Sequence, residues 1–273
     1  MRYQSEVSDL IHSQQLTDLS PTETRLAGAL ARPKPIALGC IAALTACGWI
    51  ALGLCAAKSG SFAALCRPLR SEGLEDFALA LPIWSAMTLA MMLPTAGPMI
   101  LTYAEIADTA AKKRETVVSP LILTAGYVAV WLGFAVFAAA LQAALPGDAL
   151  ADGKAGAIAS GALFVAAGLY QFSALKRSCL TLCQWPFPFF FANWTIETAG
   201  VFRLGLRQGL YCLGCCAAMM LLMFATGVMN IVWMAALGIA MTAEKLATTT
   251  RFTRVLGVVF VAIGFGFIAT GLM

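Results

Sequence analysis

The segment YCLGCCAAMMLLM, residues 211–223, carries sulfur-bearing side chains in a helical repeat. Cys212, Cys215 and Cys216, followed by Met219 and Met223, are spaced so that each lies 3 or 4 residues from another member of the set. Residues at this spacing share one face of an α-helix, so a helix here would carry a continuous sulfur stripe. Thiolates and thioethers prefer soft ions such as Cu(I), and thiolate clusters also suit zinc and iron–sulfur centres.

Nearby segments repeat the pattern. Cys179 and Cys183 lie four residues apart shortly before the stripe, and in WSAMTLAMMLPTAGPM Met87 and Met91 follow Trp84 at helical steps. The predicted metal ligands are Cys179, Cys183, Cys212, Cys215, Cys216, Met87, Met91, Met219 and Met223. Further along the chain, soft or polar side chains that would support the metal site recur at helical steps, at Asn230, Met234, Met241 and Glu244. The polar pair Asn230 and Glu244 is expected to face the interior or a partner, or, for Glu244, to pair with Lys245 or reach the interface.

Two other interpretations of the sulfur residues stay open. Cysteine and methionine are also packing residues, because Met fills irregular gaps and small side chains let membrane helices approach closely. Cys212 and Cys215 alternatively form a C-x-x-C thiol-redox pair, with Cys179 and Cys183 as a relay. The chain has nine cysteines, an odd number, which argues against a secreted disulfide framework. A bridge between Cys55 and Cys66 is left open.

The composition predicts that these residues sit in a membrane. Of 273 residues, 60% are hydrophobic and 12% are charged, which is too apolar for a soluble fold. Runs long enough to cross about 30 Å of hydrocarbon as helices occur at 36–57, 79–103, 118–145 and 154–175. We expect an all-α, multi-pass bundle over residues 36–273, preceded by a polar cytoplasmic tail at 1–35, and the lipid bilayer is the expected partner.

The stretch from Gln208 to Lys245 is too long for one crossing, since 38 residues of helix extend about 57 Å. Dividing it near Gly227 gives spans at 208–226 and 229–246, and 253–273 completes about seven spans. With the N-terminus in the cytoplasm, this topology puts 14 of the 18 Lys and Arg residues inside. The excess of Lys and Arg in the cytoplasmic loops thus accounts for the net charge of +4, and no nucleic-acid partner is expected. The cysteine group is predicted at the cytoplasmic mouth, and Lys245 is predicted on the cytoplasmic side.

The aromatic segment QWPFPFFFANW, residues 184–194, is too short to cross and is broken by Pro186 and Pro188. It is expected to form either a lipid-facing belt at the headgroup boundary or a lid over the cytoplasmic mouth. No phosphate loop, Ser-His-Asp set or zinc-hydrolase motif is present, and the one histidine, His12, lies in the polar tail. These observations favour a role other than catalysis.

The motifs WSAMTLAMMLPTAGP, KRSCLTLCQWP and GLYCLGCCAAMMLLMFATGVMNIVWMAALGIAMTAEK together resemble the DUF2182 family of predicted metal-binding integral membrane proteins of bacteria. The resemblance covers roughly residues 80–250 and implies a protein of the bacterial cytoplasmic (inner) membrane. It points to the five predicted cysteines and also to Met229, Asn230, Trp233, Met234 and Glu244.

Two functional hypotheses follow, with a scaffold or assembly factor as the third. In the first, the protein binds a soft ion for transport, delivery or homeostasis, and Cu(I) is preferred to Zn(II). The four predicted methionine ligands favour this hypothesis. In the second it is a membrane thiol-redox enzyme, which the predicted cytoplasmic position of the cysteines disfavours. A membrane-protein partner or a homo-oligomer is left open.

Overall fold

The computed structural model describes residues 33–56, 74–113, 116–144, 153–226, 230–247 and 249–272. Every regular element in these ranges is an α-helix, which confirms the all-helical fold. In chain order the helices are α1 Pro33–Ala56, α2 Leu74–Lys112, α3 Pro120–Ala144, α4 Gly153–Tyr170, α5 Ala174–Gln184, α6 Pro186–Ala192, α7 Thr198–Thr226, α8 Ile231–Leu246 and α9 Thr250–Leu272. Residues 1–32 of the predicted tail, Gly227, Met229 and the side chains of the Cys55–Cys66 pair lie outside the described part.

Six of these helices, α1, α2, α3, α4, α7 and α9, are long and apolar enough to cross a membrane. They are compatible with the predicted multi-pass membrane protein. Two spans were predicted too short. The second, predicted at 79–103, is the helix Leu74–Lys112, and the fifth begins at Thr198 instead of Gln208. Helix α2 has 39 residues and a length of about 58 Å, so it extends beyond the hydrocarbon core.

The predicted break between the fifth and sixth apolar segments is present. Helix α7 ends at Thr226 and α8 begins at Ile231, so a single helix over 208–246 does not form. Helix α8 has 16 residues and spans about 24 Å, less than the other long helices. Lys245, near the end of α8, contacts Cys212, in the middle of α7, so the two helices run antiparallel as a hairpin.

Helices α3 and α7 meet at a glycine pair. A Cβ atom on Gly126 would collide with the backbone of Phe202 and Leu206, and one on Gly205 would collide with the backbone of Leu123. Only glycine permits this separation, as is common where membrane helices pack closely. The close contact brings Tyr127 of α3 against the sulfur face of α7.

The short helices α5 and α6 lie between α4 and α7 and do not span. Helix α5 is strongly amphipathic and is capped by Ser173, whose hydroxyl accepts a hydrogen bond from the Lys176 backbone N–H at 3.1 Å. In α6, Phe187 and Phe191 are exposed while Phe190 is fully buried against Tyr103 of α2. The aromatic segment therefore presents some rings outward, as a boundary belt would, while Phe190 and Trp194 pack on Tyr103 and Phe189 packs on Tyr211 of α7. The element that covers the cysteines is α5, not α6.

Candidate metal centre

Helix α7 brings its three cysteines together on one buried face. The Sγ atoms of Cys212, Cys215 and Cys216 all lie within 4.8 Å of one another, and each residue is only 1% exposed. The Sγ atoms of Cys215 and Cys216 are 3.4 Å apart. The helical spacing alone produces this group, because the i, i+3 and i+4 positions point the same way.

Cys183 joins the group from α5, with its Sγ atom 3.9 Å from that of Cys215. We call Cys183, Cys212, Cys215 and Cys216 the thiol cluster. Cys179, one turn earlier on α5, lies beside α7 at Gly214, where an added Cβ would stand 2.6 Å from the Cys179 Sγ atom. Gly214 therefore leaves the space that the Cys179 thiol fills, and Cys179 remains half-buried at the edge of the cluster.

Two polar groups point at Cys212 from other helices. The Lys245 Nζ atom of α8 lies 3.0 Å from the Cys212 Sγ atom and donates to the Thr95 hydroxyl of α2 at 2.7 Å. The Tyr127 hydroxyl lies 3.0 Å from the same sulfur and 3.1 Å from the carbonyl oxygen of Met92. An ammonium group at this distance stabilises a thiolate, so Cys212 is the cluster member best placed to carry the negative charge.

The sequence did not predict Lys245, Tyr127 or Thr95 as site residues. Lys245 was expected on the cytoplasmic side at the end of the sixth span, but it is only 9% exposed and its side chain is turned into the bundle. The available signal for Tyr127 was a tyrosine inside the third apolar span, 118–145, because a buried phenol normally finds a hydrogen-bond partner.

Glu244 faces the interior, which was one of the expectations, and it pairs with a residue that the sequence did not suggest. Its Oε2 atom accepts a hydrogen bond from the Lys176 Nζ atom of α5 at 2.8 Å, and both residues are 1% exposed. It neither pairs with Lys245 nor extends to the interface. The Gln184 side-chain amide donates to the backbone carbonyl oxygens of Glu244 and Ala247, at 2.8 and 2.7 Å. These contacts hold α5, and with it Cys183, against the end of α8.

The α5 thiols are harder to ionise than an isolated cysteine. Hydrogen bonding with Cys212 raises the pKa of the Cys183 thiol well above its usual range. Burial raises the pKa of the Cys179 thiol. At neutral pH both thiols therefore keep their protons in the metal-free protein.

The predicted methionine ligands are all buried. Their exposed fractions are at most 2%, and they lie on α2 and α7, at Met87, Met91, Met219 and Met223. Because α2 and α7 run in opposite directions, these side chains are arranged at successive depths on the side of the cluster toward the Thr226 end of α7. Met91 packs against Gly238 of α8, where an added Cβ would be 3.6 Å from the Met91 Cε atom.

The supporting residues fall into different settings. Met234 is 1% exposed, and the half-buried Trp233 ring makes an edge contact with Phe164 at a centroid distance of 6.0 Å. Asn230 is exposed, and its side chain caps α8 by accepting a hydrogen bond from the Trp233 backbone N–H at 3.3 Å. The expectation that Asn230 faces the interior was therefore wrong, because its side chain instead pairs with one of the backbone N–H groups that lack an intrahelical partner at the start of α8.

The thiol cluster has the dimensions of a metal site. Two thiolates each about 2.3 Å from one ion stand about 3.8 Å apart in tetrahedral geometry and about 4.0 Å apart in trigonal geometry. The observed 3.9 Å between Cys183 and Cys215 falls in this range, and the 3.4 Å between Cys215 and Cys216 needs only a small side-chain rotation. A soft, buried, sulfur-only donor set fits Cu(I) and, less selectively, Zn(II).

Comparison with known proteins gives one match. The family model PpoB2, described as a copper chaperone, matches residues 81–267, which include the whole thiol cluster and Lys245. No curated protein and no solved structure matches the chain significantly.

Proposed function

The chain belongs to the PpoB2 family, described as copper chaperones, and we propose on that premise that it binds Cu(I) at the thiol cluster within the membrane and delivers it. The ion is cargo. Cys212 and Cys215 would supply thiolates, with Cys183 and Cys216 near enough to exchange with them as the ion moves.

The observation that carries this proposal is the Lys245 ammonium group beside the cluster. Cu(I) bound by two thiolates has a net charge of −1, and burying an uncompensated charge is costly. Lys245, 3.0 Å from the Cys212 Sγ atom, neutralises that charge. The copper–dithiolate complex and the ammonium group are together neutral, so the local charge supports a monovalent ion bound by two thiolates.

The buried methionines support delivery rather than storage. Met219 lies one helical turn beyond Cys215 and Cys216 on the same face of α7, and Met223 lies one turn further. Thioethers are neutral and bind Cu(I) more loosely than thiolates do. A path through the membrane needs ligands at successive depths, none of which holds the ion too tightly.

The test is copper stoichiometry in matched double variants. Purified without oxygen and with reductant, the parent protein should hold about one equivalent of Cu(I), measured by competition with a chromophoric Cu(I) chelator and by elemental analysis. Cys215→Ser with Cys216→Ser should remove most of the bound copper. The control is Cys40→Ser with Cys47→Ser, because both are free cysteines on α1, away from the cluster. Equal copper in the two double variants would contradict the assignment.

A further inference from the structure

A polar cavity, separate from the thiol cluster, lies at the end of the bundle where α5 meets the start of α9. Its volume is about 280 Å³. It contains guanidinium, amide and hydroxyl groups and no carboxylate, and its polar wall is formed mainly by Gln171, Arg177, Thr181, Thr250, Thr253 and Arg254. From α5, Cys183 contacts the thiol cluster and Lys176 pairs with Glu244 of α8, whereas Arg177 and Thr181 line this cavity. Helix α5 therefore lies between the two sites.

The cavity is positively charged. Arg177 and Arg254 both line it, and neither guanidinium has an acidic partner among the described residues. Helix α9 begins at Thr250 on the rim, so the backbone N–H groups of its first turn, which have no intrahelical partners, lie beside the cavity. The positive end of the helix dipole and two guanidinium groups together favour an anion.

Gln171 supplies an independent indication of a ligand. Its side chain is 1% exposed and lines the cavity, yet neither its amide nitrogen nor its amide oxygen has a hydrogen-bond partner. A buried polar group without a partner is costly, and such groups in native proteins usually have one. A bound ligand with acceptor oxygens would satisfy the amide nitrogen.

We propose that this cavity binds a phosphate-type oxyanion. Guanidinium groups bind phosphate oxygens in paired hydrogen bonds, and threonine hydroxyls, an amide N–H and helix N-terminal N–H groups are the other donors that phosphate sites use. The cavity lies at the predicted cytoplasmic end of the bundle. The oxyanion is therefore either a free phosphate group or the headgroup phosphate of an anionic lipid, and both are recognised by the same chemistry.

The experiment uses the full-length protein in nanodiscs of zwitterionic phosphatidylcholine, titrated calorimetrically with inorganic phosphate at constant ionic strength. We expect saturable binding in the parent and binding at least about 10-fold weaker in Arg177→Gln with Arg254→Gln, because two charge-assisted contacts are lost. The control, Arg203→Gln with Arg251→Gln, removes two exposed arginines that do not line the cavity and should bind like the parent.

A second variant tests the buried amide. Gln171→Met conserves approximate size but removes both unpartnered atoms, so the phosphate-free protein should melt at a higher temperature while its phosphate affinity falls several-fold. A raised melting temperature also shows that the variant is folded.

Native mass spectrometry identifies the source of the phosphate group. If protein extracted from membranes that contain phosphatidylglycerol retains one such lipid, and the Arg177/Arg254 variant does not, the ligand is a lipid headgroup. Phosphate binding without lipid retention identifies a free oxyanion. Equal phosphate affinity and equal lipid retention in the parent and the Arg177/Arg254 variant would overturn the proposal.

Discussion

Lys245→Met tests the charge balance of the metal centre. The substitution removes the ammonium group but conserves approximate length and apolarity, so the bundle should still fold. In the parent, the Nζ atom lies 3.0 Å from the Cys212 Sγ atom. At an effective dielectric constant of about 20, a pair of unit charges at that distance interacts by about 5.5 kcal/mol.

Breaking a buried charge pair by removing one partner typically costs about 3–5 kcal/mol. We therefore expect Cu(I) affinity to weaken by a factor between about 100 and several thousand, since 1.4 kcal/mol corresponds to tenfold. The assay is anaerobic competition with a chromophoric Cu(I) chelator. Lys112→Met serves as the control, because Lys112 is an exposed lysine at the far end of α2.

The sign of the change decides between two roles for Lys245. If the ammonium group stabilises the copper-bound thiolates, its removal weakens binding. If it instead occupies the position that copper would take, its removal tightens binding. Unchanged or tighter affinity in Lys245→Met would refute the charge argument for Cu(I).

Three further predictions follow from the contacts around the cluster. Because the pKa of the Cys183 thiol is raised, a metal ion that binds Cys183 must displace its proton; Cu(I) affinity should therefore rise with pH through the neutral and alkaline range, and Cys183→Ser should flatten that rise in chelator competition. Glu244→Gln leaves the Lys176 ammonium buried without its partner, at a cost of about 3–5 kcal/mol, whereas adding Lys176→Met should restore most of the melting temperature. Met91→Leu with Met219→Leu should change stability by under about 1.5 kcal/mol per site and keep copper at the cysteines, but should slow copper movement into sealed vesicles. Equal transport rates for this variant and the parent would mean that these methionines only pack.

The part of the site that lies on one helix could be predicted from sequence, and most of the part that joins helices could not. The spacing of Cys212, Cys215 and Cys216 fixes their common face once α7 forms. Cys183 reaches the same cluster because α5 folds back against α7, and the Lys176–Glu244 ion pair helps to hold it there. The amphipathic pattern of α5 indicates which of its faces is buried, but it does not specify which helix that face packs on.

Tyr127 shows a different limit. Its position against Cys212 depends on the close contact at Gly126 and Gly205, where α3 and α7 approach without side chains between them. Both glycines are visible in the sequence, but so are 22 others, and the sequence alone does not say which pairs meet. The prolines of α2, Pro82, Pro94 and Pro98, are likewise visible, and the helix continues through all three.

The position of Lys245, in contrast, follows from arithmetic that the sequence already allowed. Cys212 lies 14 residues before the end of α7 at Thr226, and Lys245 lies 14 residues after the start of α8 at Ile231. In an antiparallel hairpin both residues are therefore about 21 Å from the turn. The predicted turn near Gly227 thus implied that Lys245 lies level with Cys212. Because α8 is only 16 residues long, Lys245 near its C-terminal end still lies beside the cluster. A short helix with a lysine at its end is therefore the sequence feature that places a compensating charge beside the thiols.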